Sequence, residues 1–301
     1  MLVIGGLLAV LALLLAWPVP LALHRRRRTT SDPLAYLVLW QSIGLSGGLA
    51  LIGAVIVYAL APLGGNLPAA VLALRDHRAL IDGGTMPALR LILLVLGLLY
   101  LAHLCLMLAY SAFRAQQQRR RHRALLTVLT TPDADDPHTR ILPTSAPVAY
   151  CLPSGGTPTT VLSTGLVSLL NEAERRAVVE HETAHLRLRH DVLMLPFLAW
   201  RKASPGFFAP KAALASVREL IEIMADDAAR RRVPCEDLRS AIEKTAAGED
   251  GGLRPDVRYR LQRLSAPLPQ VSLRTRTTLI AAAVGLFLVP TVMVLGSGLY
   301  L

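Results

Sequence analysis

The sequence predicts an α-helical membrane protein with four transmembrane helices and an α+β domain set between the third and the fourth. Three observations carry that reading. The apolar residues, 53% of 301, gather into four long blocks instead of spreading as a soluble core would spread them. Short β-type runs follow the third block. Beyond them, a stretch free of Gly and Pro places two histidines and a glutamate at metal-ligand spacing.

The blocks 1–23, 34–61, 91–113 and 278–301 are each long enough to cross a hydrocarbon core about 30 Å thick. The first lacks a basic leader and a small-residue cleavage site, so it reads as a span and not as a signal peptide. Arg25, Arg26, Arg27 and Arg28 follow it, and Arg114, Arg119, Arg120, Arg121 and Arg123 follow the third block. Positive charge marks the cytoplasmic side. Arg274 and Arg276 precede the fourth block and agree, whereas Arg75, Arg78 and Arg90 in the outer loop pull weakly the other way. The expected organisation is a membrane region over 1–113, a cytoplasmic domain over 114–277 and a fourth span over 278–301.

The net charge of +11 excludes little by itself. Because the basic runs stand at the ends of spans, they read as contacts with an anionic inner leaflet, and no direct nucleic-acid binding is expected. The bilayer is the expected partner. Cys105, Cys151 and Cys235 suggest neither a disulfide framework nor a CxxC site.

In the second span, Gly44, Gly47, Gly48 and Gly53 suit close packing inside the bundle. The outer loop contains a mixed stretch, 69–81, that reads as a short interfacial helix. His103 in the third span reads as a packing residue. The third span should continue as a helix over 116–131 until TPDADDPH breaks it. Residues 148–152 and 159–163 read as a hairpin turned by Pro153, Ser154, Gly155 and Gly156. Asn171 with Glu174 forms a capping box at the head of a helix reaching His190. The run VLMLPFLAW is too short to span and is expected to serve as core. A further helix covers RELIEIMADDAARR, Gly248 to Gly252 forms a break, and 254–264 is a basic helix expected near the inner leaflet. Pro290 is expected to kink the last span.

The chemistry lies in VVEHETAHLRLRHD, where His181, Glu182 and His185 spell HExxH. On a helix the two imidazoles stand one turn apart on one face, so both can bind one Zn2+ ion. Glu182 beside them can take a proton from a water activated by the metal, which is the equipment of a hydrolase. A third ligand is needed. The HExxHxxGxxH pattern fails, because its Gly falls at Leu188 and its last His at Asp191. Glu222 is the expected third ligand, and Asp226, one turn on, is expected to accept the other ring N–H of a ligand histidine. The plain alternative is a solvated acidic face made by Glu219, Glu222, Asp226 and Asp227. His190 and Tyr150 are candidates for the donor that stabilises a developing oxyanion.

With these residues laid out, the chain resembles the BlaR/MecR-type membrane antirepressor metallopeptidases, through STGLVSLLNEAERRAVVEHETAHLRLRHD, through EIMAD and through apolar spans on either side. The resemblance implies a gluzincin-like fold, zinc as cofactor, and cleavage of a protein substrate that is a DNA-binding repressor. It also implies that substrate pairs as an added strand on the small sheet, expected along 159–163. Sensor members of that family continue into an extracellular penicillin-binding domain where this sequence closes at Leu301, so direct β-lactam sensing is not expected. Two other readings stand beside it. One is a quality-control peptidase similar to the HtpX/Ste type, which shares HExxH and ExxAD. The other is a membrane scaffold with a structural zinc site, against which Glu182 counts, because a structural site has no use for a base.

Overall fold

The computed structural model describes residues 1–26, 31–64, 67–73, 87–133, 136, 138–152, 159–246 and 253–295. The expected break at 248–252 and the 74–81 part of the expected interfacial helix lie outside the described residues. By packing, the chain divides into two units, Met1–Ser111 with Pro196–Val217 and Val271–Leu301, and Ala112–Leu195 with Arg218–Gln270.

In chain order the helices are α1 (Leu2–Ala16), α2 (Pro18–Arg26), α3 (Pro33–Leu60), α4 (Leu67–Ala73), α5 (Pro87–Leu129), α6 (Thr164–Leu169), α7 (Glu172–Arg187), α8 (His190–Ala203), α9 (Phe208–Ala229), α10 (Cys235–Ala246), α11 (Pro255–Ser265) and α12 (Leu273–Leu295). The strands are β1 (Thr131–Pro132), β2 (Thr139–Leu142), β3 (Ala149–Leu152) and β4 (Thr159–Ser163).

In the first unit, four helical stretches among the described residues are long and apolar enough to cross a membrane: Leu2–Arg26, Pro33–Leu63, Ala88–Leu126 and Leu273–Leu295, the third running on past this unit. The first is broken at Trp17, where φ is −136°. Pro18 explains the break, since proline lacks an N–H and disfavours helical geometry in the residue before it. Asp32 caps α3 by accepting from the Ala35 N–H at 3.2 Å, and Arg276 at the head of α12 donates to the same buried carboxylate at 2.7 Å. One turn of charge thus ties two spans together. Where those helices cross, a Cβ on Gly53 would stand 2.6 Å from Val294, so only glycine allows the approach. Gly48, by contrast, has nothing within 4 Å of the same point. Pro290 lies inside α12, which runs on to Leu295.

The run expected as core, 192–200, lies wholly within α8, and from Pro196 onward α8 packs with the apolar helices of the first unit. A Cβ on Gly44 would stand 3.3 Å from the Trp200 ring. Phe197 and Ala199 are buried there whereas Val192 is exposed, a split that the segment's composition alone leaves open.

The second unit contains a four-stranded sheet in the order β1-β2-β4-β3. β3 and β4 pair antiparallel, with Leu152 opposite Thr159 and Tyr150 opposite Val161, and β2 lies parallel to β4 on its other side. This corrects the expectation that substrate pairs along 159–163. Both edges of β4 are already hydrogen-bonded, and Thr160, Val161, Leu162 and Ser163 are buried, so no backbone is left to receive a further strand. The free edge on that side belongs to β3.

Ser163 ends β4 and caps α6 by accepting from the Leu166 N–H at 3.0 Å. The corner requires Gly165, whose Cβ would overlap the Ser145 carbonyl at 2.0 Å. α7 then begins with both halves of a capping box, Asn171 and Glu174. Its inner residue Ala177 joins Ala229, Leu238, Ile242, Val257, Leu261 and Leu264 in the unit's apolar core. α11, basic in sequence, is therefore held in that core by Val257, Leu261 and Leu264.

Candidate metal centre

α7 and α9 bring the three expected ligands together. His181 and His185, four residues apart on α7, stand with their Nε2 atoms 3.1 Å from each other. From α9, Glu222 places Oε2 3.5 Å from Nε2 of His181 and Oε1 3.7 Å from Nε2 of His185. Ligands bound 2.0–2.1 Å from a tetrahedral zinc stand about 3.3 Å apart. The donor atoms here lie within 4.8 Å of one another and fit that spacing.

Asp226, one turn beyond Glu222, is 2% exposed and sets Oδ1 2.9 Å from Nδ1 of His181. The two atoms are close without forming a well-aligned hydrogen bond, so the carboxylate acts on the ring by proximity and charge. It leaves Nε2 of His181 facing Glu222 and His185. Arg260 was not among the expected site residues. From α11 it donates Nε to Asp226 Oδ2 at 2.7 Å and Nη2 to Asp226 Oδ1 at 2.8 Å, while Nη1 reaches Glu222 Oε2 at 2.9 Å. One turn on, Arg263 holds Asp227 at 2.7 Å. Arg260 flanks the apolar stripe of Val257, Leu261 and Leu264, and a charge beside an apolar stripe is the one signal that could have found it.

The electrostatics follow from burial and these contacts. Burial opposes a charge on His181, but Asp226 and Glu222 outweigh it and raise its pKa to about 9. Burial likewise opposes ionisation of Glu222, yet His181 and Arg260 hold it down to about 2. Asp226 is lowered against its own burial by Arg260 and His181. Glu182, half-buried beside His181, is pushed up to about 6 by burial, with Glu222 adding to the effect. With neutral histidines, the carboxylates of Glu182, Glu222 and Asp226 exceed the single charge of Arg260. A divalent cation matches that surplus.

A cavity of about 560 Å³ opens beside the ligands, lined among others by His185, His190, Met194, Glu222, Tyr259 and Arg260. A larger apolar cleft, about 800 Å³, lies among the helices of the first unit and contains none of the ligands. Of the two candidate oxyanion donors, Tyr150 sits on β3 with its ring 4.9 Å from that of His122. His190 is on the cavity wall, but its Nδ1 contacts His185 and its Nε2 is shut from solvent.

Residues 115–230 match the model of Peptidase family M48. This segment, rather less than half of the chain, is similar to an M48 peptidase domain. No curated protein and no solved structure matches the chain. The M48 segment includes α7 and the whole of α9, hence His181, Glu182, His185, Glu222 and Asp226, and it stops before α11 and Arg260. With the apolar helices of the first unit, the similarity to M48 points to a membrane metallopeptidase.

Proposed function

We propose that the protein is a zinc-dependent endopeptidase whose active site faces the cytoplasm and whose substrate is a transcriptional repressor. The observation that carries the enzymatic reading is the convergence of His181, His185 and Glu222 around one point, with Glu182 next to the first ligand on α7. In this reading His181 Nε2, His185 Nε2 and a Glu222 oxygen hold the ion. The chemistry supplied on binding zinc is Lewis acidity, which lowers the pKa of a water and polarises the scissile carbonyl. A Glu182 oxygen takes the proton of the attacking water and delivers it to the nitrogen of the leaving amine. Burial moves the Glu182 carboxyl upward, the direction that suits a group which must both accept and release a proton near neutrality. Asp226 keeps the proton of His181 on Nδ1, and Arg260 fixes the positions of the two α9 carboxylates. The substrate lies along β3, the sheet edge beside α7, where Cys151 is 3.8 Å from Thr183.

The cytoplasmic placement rests on the arginines after the first and third spans. The repressor rests on the resemblance to the BlaR/MecR type. A quality-control peptidase of HtpX/Ste type is supported by the ExxAD segment from Glu222 to Asp226. Incubating the purified protein with the product of a neighbouring repressor gene and with an unfolded membrane protein separates the two, by which one is cut. The enzymatic reading is tested by Glu182→Gln, which should abolish cleavage while zinc stays bound, since Glu182 supplies a base and not a ligand. Retained cleavage removes Glu182 from the mechanism.

A further inference from the structure

The second ring nitrogens of the two ligand histidines meet different partners. Nδ1 of His181 faces a carboxylate, Asp226. Nδ1 of His185 faces another imidazole, that of His190, at 2.8 Å and with the rings nearly perpendicular at 85°. His190 is 3% exposed, and its Nε2 is buried without a hydrogen-bond partner among the described residues. The backbone sets it there. α7 ends at its cap Leu188, Arg189 adopts the left-handed conformation with φ of 50°, and the chain re-enters a helix at His190. A non-glycine residue in that conformation is strained, and the surrounding structure must offset the strain.

Two ring nitrogens this close share one proton. A His185 that offers its Nε2 lone pair to a metal carries its proton on Nδ1, so Nδ1 of His190 must accept it, and the proton of His190 then resides on Nε2. We propose that His190 is a positioning residue of the metal centre, which accepts the Nδ1–H of His185 and so holds His185 in the tautomer that leaves Nε2 free for zinc. The inference rests on the zinc reading of His181, His185 and Glu222. His190 also does this without adding charge. A carboxylate in its place would enlarge the surplus of negative charge already present in Glu182, Glu222 and Asp226.

The substitutions that test it differ in acceptor chemistry. Asparagine offers Oδ1 near the place of Nδ1, whereas leucine fills similar space and accepts nothing. Zinc affinity of the full-length protein in detergent, measured by competition with a chromogenic chelator, should fall about 10–100-fold in His190→Leu and stay close to the parent in His190→Asn. A purely packing role gives the reverse order, because asparagine loses more volume than leucine. Parental affinity in His190→Leu, or equal loss in both variants, overturns the proposal. His185→Ala in the same titration tells the two levels apart. If it also binds zinc like the parent, the zinc reading itself fails; if it loses zinc while His190→Leu does not, the role of His190 alone fails. Should His190→Leu not fold, the 15N shifts of the zinc-loaded parent decide, with His190 expected to be protonated at Nε2 and bare at Nδ1.

Discussion

Asp226 has three hydrogen-bonding or ionic contacts on one buried carboxylate, one from His181 and two from Arg260. Asp226→Asn keeps the shape and removes the charge, so zinc affinity should fall about 10–100-fold. Glu222→Ala should lose more, because a ligand goes and not only its support. Chelator competition on both variants checks this; parental affinity in the first removes the orienting role, and in the second places the third ligand elsewhere. His181, Glu182 and His185 were legible because HExxH is local and one helical turn converts spacing into geometry. Glu222 and Asp226 could be read only through their pairing with that motif. Arg260 could not. Its role depends on how α11 packs on α9, and in sequence it is one arginine in a helix whose basic residues read equally well as leaflet contacts.

At the scale of elements, Glu174 links two helices. It completes the capping box of α7, accepting from the Asn171 N–H at 2.9 Å, and also accepts from Ser240 and Lys244 of α10 at 2.5 and 2.6 Å. Lys244 and Ser240 hold its pKa down to about 2, against an ordinary value of 4.5. A folded pKa below the unfolded one stabilises above about 4.5, and that stability is lost as pH falls toward 2. Glu174→Gln keeps the cap and removes the charge that Lys244 pairs with. It should destabilise the domain by about 1–3 kcal/mol at pH 6, and the gap from the parent should close as pH drops from 4.5 toward 2. Denaturant melts at several pH values test this; a gap that does not change with pH excludes the ion pair. The capping box and the β3–β4 hairpin were legible from local chemistry. β1 is only two residues long, and β2 is parted from β4 in sequence by β3, so no local turn signal announces their pairing; without them β4 reads as an edge although it lies in the middle.

For the whole molecule, the spans were the most legible feature, since length and apolar composition suffice to identify them. What composition could not supply was the assignment of Pro196–Val217 to the apolar unit, because a short apolar segment suits a soluble core and a membrane bundle equally. The proposed orientation makes its own prediction. Reporter fusions at Gly156 and Gly251 should behave as cytoplasmic and one at Gly83 as external; an external signal from Gly156 eliminates a repressor as substrate, since the site would face the wrong compartment. The position of Arg260 bears on how the protein can be cut for study. A fragment ending at residue 230, where the family match stops, would keep His181, Glu182, His185 and Glu222. It would also leave the Asp226 carboxylate without its counter-ion and expose Ala177 and Ala229 by removing Leu238, Ile242, Val257, Leu261 and Leu264. The C-terminal trimming limit that keeps the centre's charges paired is therefore Ser265, the end of α11.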